Sequence, residues 1–338
     1  MKSYKVVEFG QPLQKVEEAN PAPQGAEVLV RITAAGVCHS DVHLWEGYFD
    51  MGGGNKYSTE KTMAPPRTMG HEIVGEVVAV GPDSKSAKVG DKAVVYPWIG
   101  CGKCWYCQSG SEHLCPTSRA LGVSTDGGYA DHVLVPHAKY LYPYGNLPVE
   151  LACLYACSGI TAFGAVKKAQ GHDAGRPILV IGTGGVGLMG VRFAKAVLGR
   201  EPIVADIDEN KRKLALANGA SAAIDPREKE ARKQVMELTG GMGVAAAIDF
   251  VGAESSAQFG WRALGRGGRL IVVGLFGGTF STPMPMFAFT GNQIMGSVTG
   301  TPAEMKEMMD LATSGKAEPV PVITRKLDEA DATLQELR

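Results

Sequence analysis

The run "PILVIGTGGVGLMGV", Pro177 to Val191, constrains the fold more than any other stretch of the chain. An apolar strand leads into Gly182, Gly184 and Gly187, spaced G-x-G-x-x-G, where a helix opens. Asp206 stands nineteen positions after Gly187, at the end of the next apolar run, "PIVADI". In such a unit the first glycine permits a tight turn, the second lets a pyrophosphate approach the main chain, and the third lets helix and strand pack closely. The phosphates sit on free N–H groups at the helix start, around Gly185 and Val186, where the helix dipole favours anions. Asp206 would accept hydrogen bonds from the adenosine ribose and repel a 2′-phosphate. No Arg directly follows it, so NAD is expected rather than NADP. Lys211 is a further candidate for the ribose. A glycine-rich turn without a ligand is the competing reading, and the flanking strand, helix and acid weigh against it.

At 338 residues the chain is longer than one core usually serves, so two domains are expected. Short β-branched runs in the first half, such as "EVLVRITAAGV", "IVGEVVAVG" and "DHVLVP", end at Gly, Pro or Asp and read as strands of a barrel-like β unit. From about Glu150 the texture changes. "LACLYACSGITAFGAVKKA" predicts one long helix, and strands then alternate with helices as far as "GRLIVVGLFG". That alternation means βαβ units and a doubly wound parallel sheet. The last clear element is a helix at "DEADATLQELR".

A formal net charge of −1 gives no reason to expect a nucleic-acid or membrane partner. "MKSYKVVEFG" lacks the apolar core of a secretory signal, and the run from Leu151 to Val166 is too short and too broken to span a bilayer. A cytoplasmic protein with reduced thiols is expected. Seven cysteines, an odd number, then favour metal binding over disulfides.

Four of the seven fall in "CGKCWYCQSGSEHLC": Cys101, Cys104, Cys107 and Cys115, spaced C-x2-C-x2-C-x7-C. Four thiolates suit a closed, tetrahedral structural zinc with no position left for substrate. A zinc ribbon touching nucleic acid is disfavoured, because only Lys103 and Arg119 supply cations nearby. Quieter candidates are "GVCHSDVH", with Cys38, His39, Ser40, Asp41 and His43, and "MGHEIVG", with His71 and Glu72; Cys153 and Cys157 lie in the first long helix. Sulfur plus imidazole can hold a catalytic zinc with one open position. Spacing alone does not decide this, since a lone Cys or His is more often a core residue.

Taken in order, "AAGVCHSDVH", "TMGHEIVGEVVAVG", "CGKCWYCQSGSEHLC", "GGYADHVLVP", "ACSGITAFGAV" and "VIGTGGVGLMGV" resemble the zinc-dependent medium-chain alcohol dehydrogenases, most closely the NAD-dependent prokaryotic branch. The resemblance covers essentially the whole chain. It implies a GroES-like β-rich catalytic domain at 1–149 with a structural-zinc lobe at about 95–116. A Rossmann NAD-binding domain at 150–288 follows, then a segment, 289–338, returning to the catalytic domain. It implies two zinc ions per chain, NAD, a small alcohol, aldehyde or ketone substrate, and a homotetramer or dimer whose sheet edge near "GRLIVVGLFG" meets a partner. Cys38, His71 and Cys157 match the catalytic zinc ligands, and Asp41 and Glu72 match the acids behind them. Cys153 matches no ligand and reads as core. Ser40 matches the hydroxyl on the substrate oxygen, and His43 the base that reaches it through the nicotinamide ribose. Thr161, Gly274 and Leu275 match positions at the nicotinamide end. Trp98 matches a pocket aromatic, and Trp45 is a candidate at the pocket entrance. A polyol or other specialised dehydrogenase of the same superfamily is the alternative.

Three departures stand out. His39 occupies a position where many relatives carry an Arg on the pyrophosphate, so coenzyme binding is expected to be weaker and to tighten as pH falls. The stretch between Cys38 and His71 is long and glycine-rich, and reads as a mobile loop over about 45–67. Relatives usually continue past the last helix with an Arg-bearing strand, so either the sequence is truncated at Arg338 or the catalytic domain closes differently.

Overall fold

The computed structural model describes residues 1–171 and 175–338. The N-terminal half is antiparallel. A five-stranded sheet runs β10 (Leu141–Pro143), β8 (Lys92–Val95), β7 (Glu72–Val80), β3 (Val28–Gly36), β9 (His132–Val135). Beside it lies a three-stranded sheet of β2 (Gln14–Glu17), β1 (Lys2–Val6) and β6 (Arg67–Thr68). Ile73, Val74, Val94 and Val95 are fully buried on the two faces of the five-stranded sheet and belong to the largest apolar core. Each such side chain contributes about 1.5–3 kcal/mol of transfer free energy.

The register of β3 against β7 positions the site. Gly36, the last residue of β3, lies opposite Glu72, the first of β7. The residues just beyond, Cys38 and His71, are thereby brought side by side although the chain between them is long. Gly36 must be bare, because a Cβ there would run into the Glu72 carboxylate and come within 2.7 Å of Leu154.

The C-terminal half is a six-stranded parallel sheet in the order β13 (Ala222–Ile224), β12 (Ile203–Ala205), β11 (Ile178–Ile181), β14 (Val244–Asp249), β15 (Leu264–Val272), β16 (Gln293–Gly296). This is the doubly wound order in which the chain reverses direction beside the first strand. Its helices include α5 (Gly185–Leu198), α6 (Glu209–Ala217), α7 (Ala231–Leu238) and α8 (Glu254–Ala263). The fold class expected from the sequence is the one observed.

Local expectations fared less evenly. The predicted long helix is broken into α3 (Val149–Ala152), a 3-10 turn over Cys153–Ala156, and α4 (Ser158–Ala169). Cys157 sits at the break with φ −131° and ψ −70°, and the two parts meet at 56°. Among the described residues no single helix is long and apolar enough to cross a membrane. Within the 45–67 stretch, β4 (Tyr48–Gly52) pairs with β5 (Asn55–Ser58) as a hairpin. Gly53 and Gly54 form its two-residue turn at φ +62° and +82°, values that suit the twist of a tight hairpin and that glycine adopts freely. The edge of the parallel sheet is β16, not the "GRLIV" strand β15, which is paired on both sides. β16 also carries this sheet past residue 288.

The remaining helices are α1 (His39–Glu46), α2 (Trp105–Gln108), α9 (Pro285–Thr290), α10 (Pro302–Thr313) and α11 (Ala330–Leu337). The segment containing α11 makes contacts with the N-terminal strands and α1. Asp328 bonds Lys2 and accepts a hydrogen bond from the Tyr4 hydroxyl at 2.6 Å, Asp331 accepts from the Leu13 N–H at 2.8 Å, and α11 packs on α1.

Candidate active site

Two clusters of metal-ligating atoms stand out among the described residues. In the first, the four sulfurs of Cys101, Cys104, Cys107 and Cys115 lie within 4.8 Å of one another, with 3.5 Å between Cys104 and Cys107 and 3.8 Å between Cys104 and Cys115. A tetrahedron with zinc–sulfur bonds of about 2.3 Å has edges of about 3.8 Å, so the four sulfurs match that geometry. All four are free thiols. Main-chain N–H groups of Lys103 and Cys104 pull the Cys101 thiol down to about 6, toward the thiolate a metal requires. Glu112 braces the lobe from inside: it accepts hydrogen bonds from Lys139 Nζ at 2.6 Å, the Tyr140 hydroxyl at 2.6 Å and the Gly100 N–H at 3.3 Å.

In the second cluster, Cys38, His71 and Cys157 bring two sulfurs and one imidazole nitrogen within 4.8 Å of one another. Each comes from a different element. Cys38 caps α1, His71 precedes β7, and Cys157 occupies the helix break. Asp41, fully buried, ties two of them together. One oxygen accepts from His71 Nδ1 at 3.0 Å, and the other accepts from the Cys38 N–H at 3.0 Å, closing the first turn of α1. With its proton on Nδ1, His71 presents a bare Nε2, which is buried and has no hydrogen-bond partner. A buried imidazole nitrogen left orphaned beside two thiols fits a metal ion. The Cys157 S–H bonds Cys38, which pushes the Cys38 thiol well below its ordinary value; burial opposes this and His71 adds to it. Burial would keep His71 uncharged, but without a metal ion Asp41 and Cys38 outweigh it and raise its pKa well above the ordinary value, and a metal ion at Nε2 would take the place of that second proton.

Glu72 lies behind this cluster. One oxygen accepts from both the Ser158 N–H at 2.8 Å and its hydroxyl at 2.6 Å, and burial, with Cys38 nearby, pushes its carboxyl up to about 8. Ser40 stands in front, its Oγ 3.6 Å from the Cys38 sulfur. His39 and His43 share one face of α1, ring centres 5.2 Å apart, and burial together with His39 holds His43 below its ordinary pKa. The Trp98 ring lies 5.4 Å from that of His71, and its N–H donates to the Ala156 carbonyl at 3.2 Å.

Trp45 is a correction. It does not reach the cleft: it is 4 % exposed, packs with Leu13, Met63, Ala330 and Leu334, and donates to the Gln11 carbonyl at 2.7 Å. The aromatic packed beside His43 is instead Phe49, with 4.9 Å between ring centres. It lies in the stretch read from its glycines as a mobile loop, and nothing in its spacing marks it. Phe276, stacked on His39 at 6.1 Å, Ser158 and Tyr129 were likewise not singled out, although "GGYADH" and "CSGIT" had been noted as motifs.

At the head of β11, Gly182 has φ +80°, and a Cβ on Gly187 would run into the Gly182 carbonyl oxygen, so the helix can approach the strand only there. Cβ atoms at Gly184 and Gly185 would meet nothing within 4 Å, which leaves the start of α5, including Val186, open to a ligand. Asp206 follows β12 and accepts from the Thr183 N–H at 2.7 Å and the Asp208 N–H at 2.9 Å. Arg212 and Arg227 both bind Asp225 and main-chain carbonyls, so neither guanidinium is idle beside Asp206. Lys211 is exposed on α6, and Thr161 lies one turn beyond Cys157 on α4. Gly274 is pressed against the Val251 main chain, and Leu275 is exposed. A cavity of about 410 Å³ lies elsewhere, lined by Thr68, Arg119, Leu121 and Val133 among others; no residue of either cluster borders it.

Residues 24–146 match the alcohol dehydrogenase GroES-like domain, and residues 185–314 match the zinc-binding dehydrogenase domain. An NAD-dependent alcohol dehydrogenase of Sulfurisphaera tokodaii is 37% identical over 338 residues, covering 100% of this chain and 96% of that one. The crystal structure of the alcohol dehydrogenase from Aeropyrum pernix superimposes with a TM-score of 0.89 at 33% identity, covering 100% and 96% of the two chains. The D-arabinose dehydrogenase of Sulfolobus solfataricus gives a TM-score of 0.86 at 30% identity, covering 97% of each.

Proposed function

Because the chain belongs to the zinc-dependent medium-chain alcohol dehydrogenase family, we propose that Cys38, His71 and Cys157 form its catalytic metal site and that the four-thiol lobe is structural. The protein is an NAD-dependent oxidoreductase that interconverts alcohols with aldehydes or ketones. The orphaned Nε2 of His71, buried opposite two thiols, is the observation that carries the site assignment.

When bound, zinc supplies Lewis acidity toward the alcohol oxygen, and NAD supplies the hydride acceptor. The chain's own residues do the rest. Asp41 fixes the His71 tautomer, so that Nε2 and not Nδ1 faces the metal. Ser40, next to the Cys38 sulfur, would accept the alcohol's proton as it passes its own hydroxyl proton on, and so stays neutral. His43, kept neutral by burial and by His39, can take that proton on to solvent. Phe49 and Trp98 give the pocket aromatic walls and favour apolar alcohols. Gly182, Gly184, Gly185, Val186 and Gly187 cradle the pyrophosphate, Asp206 and Lys211 face the adenosine ribose, His39 lies along the cofactor, and Thr161, Gly274 and Leu275 border the nicotinamide.

A polyol or sugar alcohol as substrate is the second reading, favoured by the likeness to the D-arabinose dehydrogenase. We also infer a cytoplasmic homotetramer, with residues 1–149 and the returning C-terminal segment as the catalytic domain. The unpaired edge strand β16, with Ile294 exposed, supports self-association. Metal analysis should give two zinc ions per chain. A rate survey over primary, secondary, aromatic and polyhydroxy alcohols should favour the apolar ones with NAD. One ion per chain, or a preference for polyols, would overturn the corresponding half of this reading.

A further inference from the structure

Asp41 is hydrogen-bonded by three groups, and two of them, the His71 imidazole and the Cys38 N–H, belong to residues assigned above as ligands. The third is the Tyr129 hydroxyl, which donates to Asp41 Oδ2 at 2.8 Å. Tyr129 comes from the turn before β9, far from the other site residues in sequence, and is only 1 % exposed. Its placement is constrained on the side of the histidine. Gly70, next to His71, has φ +88°, and a Cβ there would sit 2.5 Å from the Tyr129 ring. The Tyr129 N–H donates to the Met69 carbonyl at 2.9 Å, and the Gly128 N–H to the Gly70 carbonyl at 2.7 Å. Ring and main chain therefore lock the 127–129 turn to the 69–71 segment, with the hydroxyl aimed at the carboxylate. A tyrosine buried for packing alone would leave that hydroxyl replaceable by hydrogen.

We infer that Tyr129 is a positioning residue for the His71 ligand, acting through Asp41 and not on the substrate. It holds Asp41 Oδ2 so that Oδ1 stays in line with His71 Nδ1, and it shares the carboxylate's negative charge with the imidazole. The inference rests on the metal reading of Cys38, His71 and Cys157. Partners one step behind a metal ligand typically govern affinity by about 10- to 100-fold, and Tyr129 stands one step further back, so about a 3- to 10-fold effect is expected.

Release of zinc from the purified protein to a chromophoric chelator tests it. Tyr129→Phe keeps the ring against Gly70 and should speed the loss of one ion about 3- to 10-fold while leaving the other unchanged. In the cobalt-substituted protein it should shift the visible absorption of the Cys38–His71–Cys157 site. Asp41→Asn, with Tyr129 intact, should speed the same ion more strongly, and adding Tyr129→Phe to it should have little further effect. Two ions released at wild-type rates from Tyr129→Phe would overturn the inference alone, as would an effect that persists undiminished in the Asp41→Asn background. A wild-type chain that yields only one ion would overturn the metal reading, and this inference with it.

Discussion

The four-thiol lobe and the Cys38–His71–Cys157 cluster use sulfur in opposite ways. In the lobe all four thiols come from one stretch of fifteen residues, a full set for a tetrahedral ion. The second cluster is assembled from the end of one strand, the start of its antiparallel neighbour and a break in a distant helix, and it supplies three ligand atoms. Dense local spacing therefore marks the cluster proposed as structural. The cluster proposed as catalytic depends on tertiary structure, and the carboxylates of Asp41 and Glu72 stand behind it. Glu112 is the lobe's only buried carboxylate and is spent on bracing.

The largest effect should come from Cys38→Ala. Removing a ligand from the open cluster should cost at least about 10³-fold in kcat, the equivalent of several kcal/mol of lost Lewis-acid stabilisation. NADH binding, followed by its fluorescence, should stay within about twofold, and unchanged turnover would break the distinction between the clusters. Cys104→Ala should do the reverse: about 2–5 kcal/mol of stability lost, seen as a lower Tm, with kcat per remaining catalytic zinc within about twofold.

A smaller effect concerns pH. The folded pKa of Glu72, about 8, lies above its ordinary value of 4.5, so the folded metal-free chain keeps a proton that the unfolded chain releases. That contribution is full below about pH 4.5 and is lost as pH rises through about 8, on the order of a few kcal/mol in all. A nearby zinc ion would favour the ionised carboxylate and remove the trend. Denaturant titrations of chelated and zinc-loaded protein at several pH values should therefore diverge, and Glu72→Gln should flatten the chelated series. Equal slopes in the two forms would count against Glu72 facing the metal. Smallest is His39: His39→Arg puts a fixed guanidinium charge at that position and should tighten NADH binding a few-fold, read by NADH fluorescence. Unchanged affinity would leave His39 without a role at the phosphates.

Legibility followed the same division. Gly182, Gly184 and Gly187 were readable because each meets a local demand, a positive φ or a close approach, that the next few residues reveal. The four clustered cysteines were readable for the same reason. Cys38, His71 and Cys157 became a set only through resemblance, since the strand register that joins them leaves no mark in spacing. Trp45 misled because an aromatic near a reactive histidine in sequence can turn to the opposite face of a short helix. Phe49, one hairpin strand later, faces His43 instead. Tyr129 and Ser158 were invisible because their roles are hydrogen bonds across long loops to carboxylates. The helix break at Cys157 contradicts a good helical pattern, and the third residue of the proposed metal site sits at that break.

Helix α1, which carries Ser40 and His43, rests on α11 through Trp45, Ala330 and Leu334, and Arg338 reaches Glu46 at 3.1 Å and covers the Trp45 ring. This gives the reactive helix one of the longest sequence separations in the molecule. During synthesis the β-rich half can collapse and the parallel sheet can form, but the floor beneath α1 is missing until residues 327–338 leave the ribosome. A chain ending at residue 326 should therefore retain the far-ultraviolet signature of the parallel sheet while the Trp45 region turns solvent-accessible to quenchers. Unaltered quenching in that chain would show that α1 matures without its last neighbour. Ser40 and His43 should then reach their final positions only once residues 327–338 have packed against α1.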